Sequence, residues 1–380
     1  MFNLKKSHVY FDWIAIGIIM LVYFSAYTSV DYYNLLIKHA GIPMAISLVI
    51  LFFNHIDWVR AIKYKEKELI LLIMSEIIVL INMIFSRSGP GVLIDITNLL
   101  LLLYLSDKVK LDEKIYFSIS VISFIVLLLW FGKSDAGYNA NTSTTIVFEM
   151  TGLSVLGLTL FLSKYKKESL SKIFLIALLA IIVFPLAQKN NCRSIILGMG
   201  ILFVLYYLFP HKLWTLKKLY LNCIIGLITI SIIFPITYTI LWKSYGITGP
   251  KILRAGFMGG REKVWVQYLT AFVKSPIAGI GNDFLNRIPD LRYNSVHNAY
   301  IHVLVVYGIP VFFLILYFLY KRLTDIDFNN INSFNILALC YLITILFISI
   351  VESYFAVSFG NQIFFLFLLA LHHVRSSNGK

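Results

Sequence analysis

Residues 219–242 read LYLNCIIGLITISIIFPITYTILW, and the next apolar run of that length begins only at residue 299. The quoted stretch carries no charge over a length that crosses roughly 30 Å of hydrocarbon as a helix. The segment that follows, 243–298, is polar and cationic, with Arg254, Arg261, Arg287, Arg292 and His297 spaced along it. The contrast sets the fold class. Lipid-solvated helices make up most of the chain, and one long aqueous loop interrupts them. Hydrophobic spans say where a chain lives, whereas such a loop is where its chemistry can sit.

Working outward, comparable apolar runs lie at 11–31, 40–56, 69–86, 90–106, 115–132, 144–163, 171–187, 193–210, 299–320, 333–351 and 355–373. The composition agrees: 59% of residues are hydrophobic and 14% charged, against about a quarter charged in an average soluble domain. The chain reads as an all-α polytopic membrane protein with about 12 transmembrane helices and a large, partly helical outer loop. Residues 1–242 carry helices 1–9, 243–297 form the loop, and 298–380 carry helices 10–12.

Hydropathy alone would also admit ten or eleven spans, because the second run is short and the fourth contains Asp95. Charge arbitrates. With the N-terminus in the cytoplasm, Lys5/Lys6, Arg60/Lys63/Lys65/Lys67, Lys108/Lys110/Lys114, Lys164/Lys166/Lys167/Lys172, Lys212/Lys217/Lys218, Lys321/Arg322 and Arg375/Lys380 all fall inside. Every even-numbered connection is then basic, as the positive-inside rule requires, and both termini are cytoplasmic. The long loop falls outside despite its charge, because long loops translocate largely regardless of it. The first run is longer than a signal-peptide core and lacks a good cleavage site at Ser25-Ala26-Tyr27, so it reads as a retained span.

The formal net charge of +14 is accounted for by topology, so no nucleic-acid partner is expected. Cys192, Cys223 and Cys340 offer neither a disulfide framework nor metal-ligand spacing, and no metal or cofactor is expected.

Within the loop, Gly259 to Lys274 has a helical period. Trp265, Tyr268, Leu269, Phe272 and Val273 share one face, as in a helix lying along the membrane surface. It ends at Ser275-Pro276, and Gly279-Ile280-Gly281-Asn282 reads as a flexible turn. A helix starting at Gly260-Arg261 directs backbone N–H groups and a guanidinium fork toward an anion such as phosphate; the plain alternative is a surface arginine. Arg193, at the mouth of span eight, is either a snorkelling anchor or a second phosphate clamp. His297 and Asn298 stand where the loop re-enters the membrane. A neutral imidazole there suits proton abstraction from a hydroxyl, with Asn298 orienting the ring or binding sugar; the plain alternative is an amphipathic boundary residue. His302 falls off that helical face and reads as structural. Glu76, Asp95 and Glu149 read as packing or interhelical pairing. Glu352, at the outer end of span eleven, is placed to meet Arg193 or the loop.

Three of these segments together resemble the superfamily of O-antigen ligases and O-antigen polymerases. Gly260-Arg261-Glu262-Lys263-Val264-Trp265, followed by Pro276-Ile277-Ala278-Gly279-Ile280-Gly281, is similar to its G-R-x-x-x-W and P-x-x-G-x-G elements. His297-Asn298-Ala299-Tyr300 with Tyr307-Gly308-Ile309-Pro310 is similar to H-N-x-Y/L and G-x-x-G. Cys192-Arg193-Ser194 is similar to S/T-R-S/G. The matching region is about 190–320, and the departures are Cys192 for Ser or Thr and Pro310 for a small residue.

The resemblance implies a GT-C-like glycosyltransferase of the Gram-negative inner membrane with a periplasmic active site. It would use an undecaprenyl diphosphate-linked glycan as donor and need neither nucleotide sugar nor metal. A ligase has lipid A-core as acceptor, and a polymerase has another lipid-linked repeat unit. The motifs favour the ligase modestly, and a lipid-linked oligosaccharide flippase is the non-enzyme alternative. The family's catalytic set carries over to His297, Arg261 and Arg193. Asn298, Arg254, Arg287, Arg292 and Trp265 are the expected substrate-binding residues, with membrane lipids as surroundings.

Overall fold

The computed structural model describes residues 4–25, 40–57, 66–86, 89–131, 140–209, 214, 216–245, 261–281, 288, 296–326, 328, 331–356 and 358–373, and contains no strand among them. A helix lies in each apolar stretch read from the sequence. These are α1 (Leu4–Ser25), α2 (Gly41–His55), α3 (Lys67–Ser86), α4 (Pro90–Leu105), α5 (Glu113–Phe131), α6 (Ala140–Ser163) and α7 (Glu168–Leu178, running on through a π turn to Lys189). They continue with α8 (Arg193–Phe203, ending in a second π turn), α9 (Lys217–Tyr245), α11 (Ala299–Thr324), α12 (Ser333–Ile348) and α13 (Ser358–Leu371). The loop helix is α10 (Arg261–Val273). Five of these helices, α3, α6, α7, α9 and α11, are long and apolar enough to cross a membrane by length and composition.

Large apolar side chains such as Phe53, Ile84, Phe85, Leu129, Ile181 and Phe313 stand exposed on the outside. In water such a surface would aggregate, whereas in hydrocarbon it is the solvated face. With no hydrophobic force between helices in lipid, close packing falls to small residues. Gly157 of α6 leaves no room for a Cβ against the Tyr116 carbonyl of α5. There the Gly157 N–H donates to Ser120 Oγ at 2.6 Å, and Ser120 Oγ donates to the Leu153 carbonyl at 2.5 Å. Glu76 is paired between helices as its position suggested, accepting from Thr97 Oγ1 at 2.6 Å.

One departure from regular helix explains itself. Pro185 has no N–H to give, and the π turn at Leu179–Val183 precedes it, with Phe184 N–H reaching back to the Leu179 carbonyl. At the end of the bundle away from α10, Asn335 closes two helix termini at once. It completes a capping box with Asn332 at the start of α12, while its Nδ2 donates to the Ala370 and Leu371 carbonyls at the end of α13.

That same end holds a side chain the topological reading undervalued. Arg322, counted above only as a cytoplasmic charge, is fully buried. Its Nε donates to the Leu103 carbonyl at 2.7 Å, and its guanidinium pairs with Glu68 and Asp107. Lys321 joins Glu68 and Lys108 joins Glu66. The network ties the start of α3, the end of α4 and the end of α11 together. The chain therefore alternates between a pinned end and the end that carries α10.

Candidate active site

The turn between α7 and α8 is built by a left-handed asparagine. Asn191 has φ +52°, Cys192 N–H reaches back to the Ala187 carbonyl at 2.8 Å, and Asn191 N–H to Gln188 at 3.1 Å. These two bonds are the Schellman pattern that satisfies the last carbonyls of a helix. The turn is so short that Arg193 is already the first residue of α8. Burial pushes the Cys192 thiol up to about 11, so it stays protonated at neutral pH and is no nucleophile. The nearby Glu352 carboxylate pushes the same way, and Ser194 and Arg261 push against it; Cys192, and with it the start of α8, lies within electrostatic reach of Glu352 and Arg261. Because the thiol does no chemistry, Cys192→Ser is expected to keep activity within about twofold, measured by the complementation assay described below.

Arg261 opens α10, as the loop periodicity predicts. The buried stripe of α10 is Val264, Trp265 and Tyr268, however, and Val273 at the far end is 74% exposed. Leu269 and Phe272 of the expected face pack partly buried against the core, so that face holds apart from Val273, and the helix packs on α9 and α11. Trp265 is fully buried and its Nε1 donates to the Val296 carbonyl at 2.9 Å. That bond fixes the backbone immediately before His297.

Asn298 fixes the backbone immediately after it. As the N-cap of α11, its side chain accepts from Ile301 N–H at 2.7 Å, and Nδ2 donates to the Ile350 carbonyl at 2.7 Å. Next to it, Ala299 N–H donates to the Ser349 and Glu352 carbonyls at 2.9 and 3.1 Å. Held from both sides, His297 adopts φ +51°, a strained conformation for a non-glycine residue that persists only where its surroundings impose it.

The result is a charged cluster. Glu352 Oε1 accepts from Arg261 Nη2 at 2.7 Å, and its Oε2 lies 3.4 Å from His297 Nδ1. Residues from α10, the start of α11 and the end of α12 thus converge on one carboxylate. The side chains of Arg261, Glu352 and His297 stay 20%, 17% and 33% exposed, enough for a ligand to reach them.

The segment after α10 sets how α10 stands relative to α11. It was read as a flexible turn, but its glycines are locked. Ile280 and Gly281 donate to the Val305 and Val306 carbonyls of α11 at 2.8 and 3.0 Å, and Ile309 N–H donates back to Pro276 at 3.0 Å. Gly279 and Gly281 have φ near +70°, and Gly308 has φ +82°. The hydrogen-bond pattern explains Pro310. α11 is broken at Gly308, so the Val306 carbonyl, which Pro310 cannot satisfy, is satisfied by Gly281 instead. The Tyr307 carbonyl is satisfied by Asn82 Nδ2 of α3 at 2.8 Å, and the same amide lies 3.5 Å from the Ile277 carbonyl. Irregular backbone at membrane depth is tolerated only when protein groups satisfy it in this way.

Of the residues expected from the sequence, Arg261 and His297 come together on Glu352, and Arg193 follows a residue within electrostatic reach of Arg261 and Glu352. Trp265 and Asn298, expected to bind substrate, are instead closed off from solvent and fully engaged; they position His297. Arg254, Arg287 and Arg292 lie outside the described residues. Glu352, expected at the outer end of span eleven to meet Arg193 or the loop, meets the loop at Arg261. Asn82 was not among the expected site residues, and its only signal was a lone polar residue in an apolar span, which says nothing about its partner.

Fold and site together define a membrane-embedded helical protein with a charged, partly open cluster at one end of its bundle. No protein-family model matches the chain, and no curated protein matches it.

Proposed function

We propose that the chain is an O-antigen ligase, which transfers glycan from undecaprenyl diphosphate to lipid A-core at the periplasmic face of the Gram-negative inner membrane. The reading includes twelve spans and cytoplasmic termini. The observation that carries it is the single carboxylate, Glu352, shared between Arg261 and His297. It couples an anion-binding group to a base at the end of the bundle, whereas transporters gather such groups at the midplane.

In this reading Arg261 and Arg193 grip the donor diphosphate, supplying the charge for which other transferases use a divalent ion. Glu352 releases Arg261 to the incoming phosphate and keeps its second oxygen toward His297 Nδ1. That fixes the tautomer with Nε2 as the free base and stabilises the imidazolium once formed. His297 takes the proton of the acceptor hydroxyl, and the oxygen attacks the anomeric carbon. The C1–O bond breaks with its electrons passing to the diphosphate, and the centre inverts.

Complementation tests the reading. Ligase-null and polymerase-null strains with matched glycans each receive the gene, and surface lipopolysaccharide is resolved as a gel ladder. Attachment of full-length chains in the first strain supports the ligase; growth from one unit to many in the second identifies a polymerase with the same donor. Restoration in neither, with the protein present in the membrane, overturns the transferase reading. In the strain that responds, Arg261→Lys is expected to cost at least about tenfold, because an ammonium cannot reproduce a two-pronged grip on phosphate.

A further inference from the structure

Asn361 and Gln362 stand near the start of α13, and both side chains are fully buried. Among the described residues neither end of either amide has a hydrogen-bond partner: Asn361 Nδ2 and Oδ1 and Gln362 Nε2 and Oε1 are all open. Turning an amide over does not help when both its ends are open. The pair cannot satisfy itself either, since successive helix positions point about 100° apart. Four open polar atoms in an interior surrounded by lipid would together offset much of the stability of an ordinary domain. Buried amides that persist in a folded protein are bonded to something.

The chemistry of the four atoms narrows what that is. Two carboxamides offer donors and acceptors in equal measure and no net charge. An anion would meet two carbonyl oxygens and a cation two N–H groups, whereas a hydroxyl donates and accepts at once. We propose that Asn361 and Gln362, each bonding a neutral hydroxyl, make this part of α13 a buried hydroxyl site, the hydroxyls contributed by water or by a sugar.

Its position gives the site a use. Phe364, one turn along α13, packs on Phe355 with ring centroids 5.8 Å apart, and Phe355 packs on Tyr300 at 5.2 Å. Phe355 follows Glu352 by three residues and Tyr300 follows His297 by three. An aromatic row thus links the amide pair to the two segments that carry the charged cluster. The site is inferred from burial and bonding and stands whether or not the transferase reading holds.

Radiolytic hydroxyl-radical footprinting of the purified full-length protein tests it. Radicals form from bound water and mark the side chains that touch it, so Phe364, though only 1% exposed, is expected to be oxidised. The N361L/Q362L double variant is expected to lose that mark. No oxidation of Phe364 or Phe355 in the unaltered protein overturns the proposal. A second readout is thermal. Asn361→Leu and Gln362→Leu singly are expected to lower the apparent Tm by several degrees, because each removes bonds to the resident hydroxyl. An unchanged or raised Tm means the amides had no ligand, and overturns it as well. Repeating the footprint with an O-unit-bearing undecaprenyl diphosphate identifies the source: protection of Phe364 assigns a sugar hydroxyl, and an unchanged mark assigns water.

Discussion

His297→Ala abolishes the lipopolysaccharide ladder in the complemented strain while the protein remains in the membrane at its usual level. The expectation of an unaltered level comes from the surroundings of His297 and not from its ring. Its backbone is held by Trp265 through Val296 and by Asn298 through Ile350 and Ile301, and the alanine variant keeps all three bonds. It loses the ring, and with it the 3.4 Å approach to Glu352. A positioned base contributes about 10²–10⁴-fold to such a transfer, beyond the range in which a ladder is visible. Quantitative blotting of membranes beside the ladder separates loss of chemistry from loss of protein. A full ladder from this variant removes His297 from the mechanism.

Gly308→Ala is expected to act in the opposite way, by removing the protein. A Cβ at Gly308 would lie far inside the van der Waals envelope of the Ile277 carbonyl, and a Cβ at Gly279 would meet the Val306 carbonyl. Neither segment can retreat. The docked segment satisfies the Val305 and Val306 carbonyls, and Asn82 satisfies Tyr307. Separation would leave these groups open in hydrocarbon. Added to the strain of a Cβ at φ +82°, the cost is expected to reach about 4 kcal/mol or more, seen as a collapse of apparent Tm and membrane abundance. Gly200→Ala is the control. Nothing lies within 4 Å of a Cβ there, and a helical Gly→Ala change is worth up to about 1 kcal/mol in the favourable direction. Equal losses from the two variants would show that the docking of the loop segment on α11 is not what holds this end together.

The helices were legible because a transmembrane helix satisfies its own backbone, so its signature is local and one-dimensional. The start of α10 at Arg261 was legible for a similar reason, as a change of period after a glycine pair. The same locality misled at Gly279–Gly281. Glycines after a proline suggest freedom, and the structure instead uses their positive φ to approach a broken helix closely. Glu352 shows where that legibility stops: its place at the outer end of span eleven pointed to Arg193 or the loop, but not to which residue of the loop. Its partner Arg261 lies 91 residues away, a pairing set by how α10, α11 and α12 pack and by nothing in the residues around either one. Arg322 was misjudged likewise, because a cation at a helix end looks the same in sequence whether it faces headgroups or two partly buried carboxylates.

The sequence by itself determined that this is a helical membrane protein, where its apolar helices run, and which polar loop breaks them, because partition between lipid and water depends on each segment's own composition. Only the tertiary structure decided that Arg261 and His297 share one carboxylate, that Trp265 and Asn298 hold the histidine instead of facing a ligand, and that Asn82 closes the break in α11. Those outcomes depend on hydrogen bonds between groups far apart in the chain, whose few-ångström range makes them invisible until the helices are packed.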